Sequence, residues 1–395
     1  CGDAVGGKSL KIVTELGVKP FIEKTPHNRV TGITFSSPGG QKITCSLPLE
    51  EIKNKEAGYA LPRIQFDYMM FKKAVEHVIL AEGAVIQNFH VKEVIVSKEN
   101  QQQIKGIKGN FRKGKNNEQL TFLAPLTIGA GGFNCPVATT LTKQCHEEPM
   151  RDDKHYCEAY REYWTDVEGI NTSQEPIEIH FIDGVVPGYW WIFPVNENVV
   201  NVGIGMVNAE RRKQTGIKKS LKKLQHYLIH EHPRFKERFA DATFVKGSGK
   251  GWELPFGSPR KGATLQPRRT AMAGAICVGD AASLVDPFSG EGVGNALLSA
   301  KLAISLFDRD AHSEEGLPAE VADEYMTRLW EELGPELSNS FKIQRIVRRK
   351  RLMNLFVRKA AKRPALQAAL TDALASKDAQ KKLHNPLWLA RNILL

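Results

Sequence analysis

The stretch of the chain richest in chemistry reads Ile276-Cys277-Val278-Gly279-Asp280-Ala281-Ala282, then Asp286-Pro287, then Gly290-Glu291-Gly292-Val293-Gly294-Asn295-Ala296. A short apolar run ending in Gly-Asp predicts a buried strand. Its glycine admits close backbone approach, and its carboxylate can accept hydrogen bonds from a polyol. The glycine-rich turn then opens a helix. Free N–H groups at such a start, with the positive end of the helix dipole, stabilise an anion or a ring that gains negative charge on reduction. Glycine-rich strand-to-helix turns also occur for packing alone, so the motif by itself leaves both readings open.

A second stretch, Tyr189-Trp190-Trp191-Ile192-Phe193-Pro194, is followed eight residues later by Gly203-Ile204-Gly205. Alternation along a strand places Tyr189, Trp191 and Phe193 on one face, an aromatic wall suited to a flexible polyene or prenyl chain. Three alternating aromatics can also simply fill a sheet core. Two weaker signals accompany these. Arg63-Ile64-Gln65-Phe66-Asp67 stands ahead of a helix, where Arg63 could face a cofactor or pair with a nearby carboxylate. Gly129-Ala130-Gly131-Gly132 follows the apolar strand Leu126-Thr127-Ile128 and is no more specific than any lone glycine cluster.

Together these segments resemble a known group. GDAA, then P, then GEG-x-G-x-x-A is similar to the second flavin-binding motif of the flavoproteins that include aromatic hydroxylases, halogenases and geranylgeranyl reductases. Y-x-W-x-F-P, a short spacer and G-x-G, across about 17 positions, resembles the geranylgeranyl reductase family in particular. The resemblance implies FAD as cofactor, with Gly279 and Asp280 binding the flavin and Pro287, Gly290, Glu291 and Gly292 lining its ring. It implies that Arg63, in an R-x-x-F-D element, and Gly129 contact the cofactor. Where the family has G-A-D-G, however, Gly131 replaces the acid, so that acid's role does not carry over.

On the substrate side the resemblance implies that Tyr189, Trp191, Phe193, Gly203 and Gly205 meet an isoprenoid lipid. Cys1-Gly2 is similar to the family's cysteine-glycine element, which makes Cys1 a proton donor or alkene-positioning residue, with Tyr189 and Trp191 also in the catalytic set. The implied activity is hydride transfer from reduced flavin to carbon–carbon double bonds of a geranylgeranyl-type lipid, with NADPH or another electron donor reducing the flavin. A flavin monooxygenase or halogenase on the same fold is the alternative enzyme. A non-catalytic lipid-binding remnant is the alternative outside enzymology. A G-x-G-x-x-G unit with an acid about 20 positions later is expected for the adenine dinucleotide but does not occur in the chain, which opens on Cys1. The family carries that unit upstream of Cys-Gly, so an N-terminally truncated form of a longer enzyme is expected.

The elements that must position these residues follow from periodicity. Phe71, Ala74, Val75, Val78 and Ile79 at helical spacing predict a helix over 66–82 that stops at Gly83. Alternating stretches around 84–97, 103–109 and 118–123 predict strands, as do 176–183, 188–206 and 243–257, while 217–230 and the region from 319 onward read as helical. The expected class is α/β (α+β). It comprises an FAD/NAD(P)-binding Rossmann-like domain lacking its first βαβ unit, an antiparallel-sheet substrate domain and C-terminal helices. The expected blocks are 1–150 and 266–310 for the flavin domain, 151–265 for the substrate domain and 311–395 for the helices.

Bulk properties narrow the partners. At 395 residues, 42% hydrophobic and 25% charged, the chain can bury sizeable cores. Six cysteines without C-x-x-C spacing favour neither a disulfide framework nor a zinc site, and a reducing cytoplasm is expected. His230-Glu231-His232 has the wrong spacing to converge on a metal from a helix. No apolar run reaches the roughly 18–20 residues needed to span a bilayer. The net charge of +11 is concentrated in 341–363, ten Lys/Arg and no acid interleaved with apolar residues. Such a segment can lie on an anionic membrane surface, placing the protein peripherally at the inner face of the cell membrane, or it can be a solvated helix packed by its apolar side. Without a recognition fold, nucleic acid is not an expected partner.

Overall fold

The computed structural model describes residues 2–367 except 48, 49, 51, 53–57, 82, 98, 100, 101, 115, 146–149, 261–267, 364 and 365. Cys1 and residues 368–395 therefore lie outside the described residues. The chain forms two compact units. One gathers Cys1–Met70, Cys157–Glu253 and Lys342–Leu395; the other gathers Phe71–Tyr156 and Leu254–Phe341.

The strands of the N-terminal part are β1 (Ala4–Val5), β2 (Asn28–Arg29), β3 (Gly32–Ser36), β4 (Lys42–Ser46), β5 (Tyr59–Ala60), β6 (Phe89–Val96), β7 (Ile104–Lys113), β8 (Asn116–Leu123) and β9 (Thr127–Gly129). Those that follow are β10 (Tyr156–Thr165), β11 (Ile177–His180), β12 (Tyr189–Pro194), β13 (Val199–Val207), β14 (Thr243–Phe244), β15 (Lys250–Pro255), β16 (Ala271–Met272) and β17 (Ala275–Cys277).

In the first unit the main sheet runs β14-β10-β13-β12-β11-β3-β4, with β15 also pairing β10. Every neighbouring pair for which a register is known is antiparallel except β11 with β3, where Ile177 stands opposite Ile33. The β12–β13 hairpin forms where Asn196 closes the turn, its Oδ1 accepting from the N–H groups of Asn198 and Val199 at 2.9 and 2.7 Å. One face of these strands buries Trp190, Ile192, Val202 and Ile204 against Leu224 and Leu228 of the helix Leu221–His230 and against Phe235 and Phe239. Each such side chain contributes about 1.5–3 kcal/mol by leaving water. Ser220 starts that helix by accepting the Lys223 N–H.

The second unit holds the antiparallel sheet β6-β7-β8 and the sheet β16-β17-β9, in which β17 and β9 are parallel. Its core joins Ile276 and Ala275 to Leu141 of the helix Pro136–Gln144 and to Tyr325, Leu333 and Leu337 of the helix Ala319–Val347.

The mixed α/β class agrees with the sequence. Three features differ from the expectation, each for a physical reason. The first unit draws Cys1–Met70 away from the expected 1–150 block because β3 finds its partner in β11, far along the chain. The expected 66–82 helix exists as Arg63–Leu80, but of its described side chains only Phe66 is buried. Phe71, Ile79 and Leu80 are 45%, 67% and 80% exposed. The basic 341–363 segment is not one helix: Val347 ends the first, Arg349 leaves helical geometry at φ −85°, ψ 86°, and a second runs Lys350–Ala360. Met353, Val357 and Ala360 of that second helix are buried. Among the described residues no helix is long and apolar enough to cross a membrane.

Candidate active site

In the second unit Gly129 stands opposite Cys277 in parallel register, and the Val278 N–H donates to the Gly129 carbonyl at 3.0 Å. The turns Gly129–Gly132 and Gly279–Ala282 thus leave adjacent strands at the same end of the sheet, where open α/β folds bind cofactors. Gly279 has φ +57°, and a Cβ there would stand 2.9 Å from the Ala296 Cβ. Its N–H donates to Ser299 Oγ at 3.0 Å. The glycine therefore lets the strand end meet the helix Val293–Leu306 and turns the chain so that Asp280 is left partly exposed. At Gly129 a Cβ would meet Cys277 Sγ at 2.8 Å, so that glycine is required by packing.

The loop between the two parts of the motif is built on Asp286, to which the sequence assigns no role. Its buried Oδ1 accepts from the N–H groups of Phe288 and Ser289 at 2.9 and 2.7 Å, and its own N–H donates to the Glu291 carbonyl at 2.8 Å. Burial pushes this carboxyl upward, against the lowering effect of the Ser340, Ser289 and Phe288 donors. Pro287 is buried in the loop, and Gly290 turns it with φ +74°. Glu291 Oε1 accepts the Gly294 N–H at 2.5 Å, so this acid caps the helix and takes one of the N–H groups that the motif would otherwise offer a ligand. At Gly292 a Cβ would stand 3.5 Å from Asp280 Oδ1 and Val285 Cγ2, an ordinary contact, so packing alone does not demand glycine at this helix start. A partly exposed carboxylate beside a helix start that keeps some of its N–H groups fits the polyol chain and ring edge of a flavin.

In the first unit β12 is buried on both faces from Trp190 to Pro194, and only Tyr189 is partly exposed. Tyr189, Trp191 and Phe193 share a face as expected, with ring centroids 5.9 and 6.2 Å apart along the row. Trp191 pairs with Gly203 and Tyr189 with Gly205 across the hairpin. A Cβ on Gly203 would stand 2.2 Å from Trp191 Cζ2, so the G-x-G element is the seat on which the indole lies. Trp191 Nε1 donates to Asn201 Oδ1 at 2.8 Å. Gly2 packs on Phe193, where a Cβ would fall 2.5 Å from Cε2, which places Gly2 at this aromatic row.

Sequence reasoning missed the polar group behind that row. Asp3 is fully buried; its Oδ2 accepts from the Tyr163 hydroxyl at 2.7 Å, and the Asn201 side chain also bonds it. Burial raises the Asp3 carboxyl, while Asn201, Tyr163 and the Arg161 charge act the other way. Burial and then Asp3 raise the Tyr163 phenol, whose oxygen also meets the Arg63 backbone. Arg63 thus joins this network through its main chain, while its guanidinium pairs with Asp67 at 2.9 Å. The available signal was Asn201 itself, a polar residue inside the apolar run Val199-Val200-Asn201-Val202.

Another polar cluster in this unit is structural. Ser36 Oγ lies 2.8 Å from His180 Nδ1, and His180 Nε2 lies 3.1 Å from Glu178 Oε2, the order of a nucleophilic triad. Ser36 is only 1% exposed and its oxygen already accepts from Arg234 at 2.8 Å, so no substrate reaches it.

Parallel strands ending in apposed glycine turns, with a partly exposed carboxylate and a helix start at that end, make an α/β fold able to take a flavin. Solved structures share it. A geranylgeranyl bacteriochlorophyll reductase-like protein from Thermoplasma acidophilum superposes with TM-score 0.71 at 19% identity, over 97% of this chain and 88% of its own. The flavin-dependent brominase Bmp2 gives 0.58 at 16% identity, over 98% and 83%. Residues 155–242 match the family model of the geranylgeranyl reductase catalytic domain. The digeranylgeranylglycerophospholipid reductase of Sulfolobus acidocaldarius is 30% identical over 80% of this chain, and reductase 1 of that name from Methanococcoides burtonii is 25% identical over 86%. The chain spans 63% and 72% of the lengths of those two relatives. The chain is thus similar to the geranylgeranyl reductase family, with residues 155–242 matching its catalytic domain.

Proposed function

We propose that the protein is an FAD-dependent reductase of carbon–carbon double bonds in a geranylgeranyl-type isoprenoid lipid. The observation that carries this reading is the aromatic row Tyr189, Trp191 and Phe193 seated on Gly203, inside the segment that matches the catalytic domain. When bound and reduced by NADPH or another donor, FAD would supply the hydride chemistry at one alkene carbon. Gly279, Asp280 and the helix start at Gly292 would hold it, and Pro287, Gly290 and Glu291 would shape the loop beside it. The prenyl chain meets the row at the partly exposed Tyr189, with Trp191 and Phe193 as its apolar backing. Cys1, which precedes Gly2 in the sequence, delivers the proton to the second alkene carbon. Asp3, bonded by Tyr163 and Asn201, fixes the chain that carries it. The basic residues of 341–363 face an anionic lipid surface, which brings a membrane-borne substrate within reach.

The test is spectroscopic. Protein expressed from its complete gene is reduced anaerobically and mixed with a geranylgeranyl-bearing glycerophospholipid. Reoxidation of the flavin with loss of lipid double bonds, without oxygen, supports the reductase. Reoxidation by oxygen alone overturns it in favour of a monooxygenase or halogenase, and a protein that binds lipid but no flavin overturns it in favour of a binding module.

A further inference from the structure

We propose that the cleft between the β3–β4 turn and the helix Lys350–Ala360 is a specific binding site for a phosphate group. The cleft, about 300 Å³, lies wholly within the first unit and is lined by Gly39, Gln41, Arg351, Asn354, Leu355 and Arg358. Arg351 and Arg358 are seven residues apart, two helical turns, and so share a face of the helix. Their neighbours Arg348 and Lys350 are engaged by Glu210 at 3.6 Å and Asp183 at 2.6 Å. No described carboxylate pairs with Arg351 or Arg358. None is supplied locally, since no Asp or Glu occurs between Glu336 and Asp372.

The two amides complete a set of donors. Asn354 Oδ1 accepts the Gly39 N–H at 2.8 Å, and Gln41 Oε1 accepts the Ser37 hydroxyl at 2.8 Å. Each amide oxygen is thus occupied within the protein, and each NH₂ remains for a ligand. Gly39 keeps the floor open: a Cβ there would stand 3.0 Å from Gln41 Oε1 and 3.1 Å from Asn354 Nδ2. Two guanidinium forks and two amide donors match the charge and the several acceptor oxygens of a phosphate better than those of a single carboxylate.

A second open cleft in the same unit shows what a self-neutralised surface looks like. It is about 440 Å³, and there Lys42 and Arg238 meet Glu178 at 3.8 and 2.9 Å, with Glu168 and Glu175 also in the lining. The Arg351–Arg358 cleft has no such internal counter-charge. The phosphate could belong to a small soluble ester or to a phospholipid headgroup, and the chemistry of recognition is the same for both.

Binding is measured without turnover, so the result is independent of the reductase reading. Titration calorimetry with inorganic phosphate and glycerol phosphate is paired with sedimentation on phosphatidylcholine vesicles with and without phosphatidic acid. Arg351→Gln/Arg358→Gln should weaken binding about tenfold or more, and Gly39→Ala, which narrows the floor, should also weaken it. The charge-matched control Lys222→Gln/Lys223→Gln, on exposed residues outside both the cleft and the 341–363 segment, should bind as the parent does. Capture of the soluble esters assigns the site to a free phosphate ester; capture of phosphatidic acid vesicles alone assigns it to a headgroup. No binding to either, or equal loss in the control pair, overturns the site and leaves only diffuse attraction by a basic helix.

Discussion

The two regions that carry the proposed chemistry are built from different materials. The turn cluster around Gly279 and Gly292 is made of backbone: its glycines set close approach and torsion, and its acids Asp286 and Glu291 are used to hold main-chain N–H groups. The aromatic row is made of side chains, held by a seat at Gly203 and a buried polar group of Asp3, Tyr163 and Asn201. A backbone site is written locally, within one short stretch, whereas a side-chain site recruits partners from the whole unit. The two should therefore fail differently when disturbed.

The largest expected effect is at Gly279. Alanine there must adopt a positive φ and also push on Ala296, which costs about 2–4 kcal/mol. Chemical denaturation should show this loss together with reduced flavin content. Gly203→Ala should cost about 1–3 kcal/mol by driving into the Trp191 indole, and should shift tryptophan emission while flavin content stays near that of the parent. Loss of flavin from Gly203→Ala would break the distinction. Trp191→Phe keeps the row but leaves Asn201 Oδ1 without its donor, at about 1–2 kcal/mol. Its expected kinetic signature is a raised KM for lipid with unchanged flavin absorbance.

The smallest effect is a slope with pH. Burial, reinforced by the Arg260 charge, lowers His155 in the second unit from 6.5 to about 4, and burial likewise lowers His180 in the first. The unfolded chain then binds protons more readily, so stability present above pH 6.5 is lost as the pH falls, down to about 4 for His155. Burial would raise Glu178, but His180, Arg238 and Lys42 outweigh it and hold the carboxyl down at about 2. Its contribution is present above 4.5 and is lost as the pH falls toward 2, in the first unit only. Hydrogen exchange read segment by segment should show both units weakening between pH 6.5 and 4, and the first continuing to weaken below that.

Much of the backbone-built region was legible because glycines at strand ends and helix starts leave few conformational options. The aromatic row was legible for its period of two, and the G-x-G element for its register. That Gly203 seats Trp191 was not, since strand pairing decides which residues touch. Asp3 and Tyr163, 160 residues apart, offered no joint signal. The break at Arg349 has neither proline nor glycine to announce it, and the exposed apolar stripe of Arg63–Leu80 shows that periodicity reports a helix without reporting what covers it.

The parallel pairing of β3 with β11 has a consequence for synthesis. Ile177 follows Ile33 by 144 residues, which at ribosomal speeds is a delay of roughly 7–30 s. During that interval the β3–β4 hairpin emerges with one edge open to any strand nearby, its own partner not yet translated. A newborn chain of this protein therefore carries that strand edge without its native partner until β11 has been made.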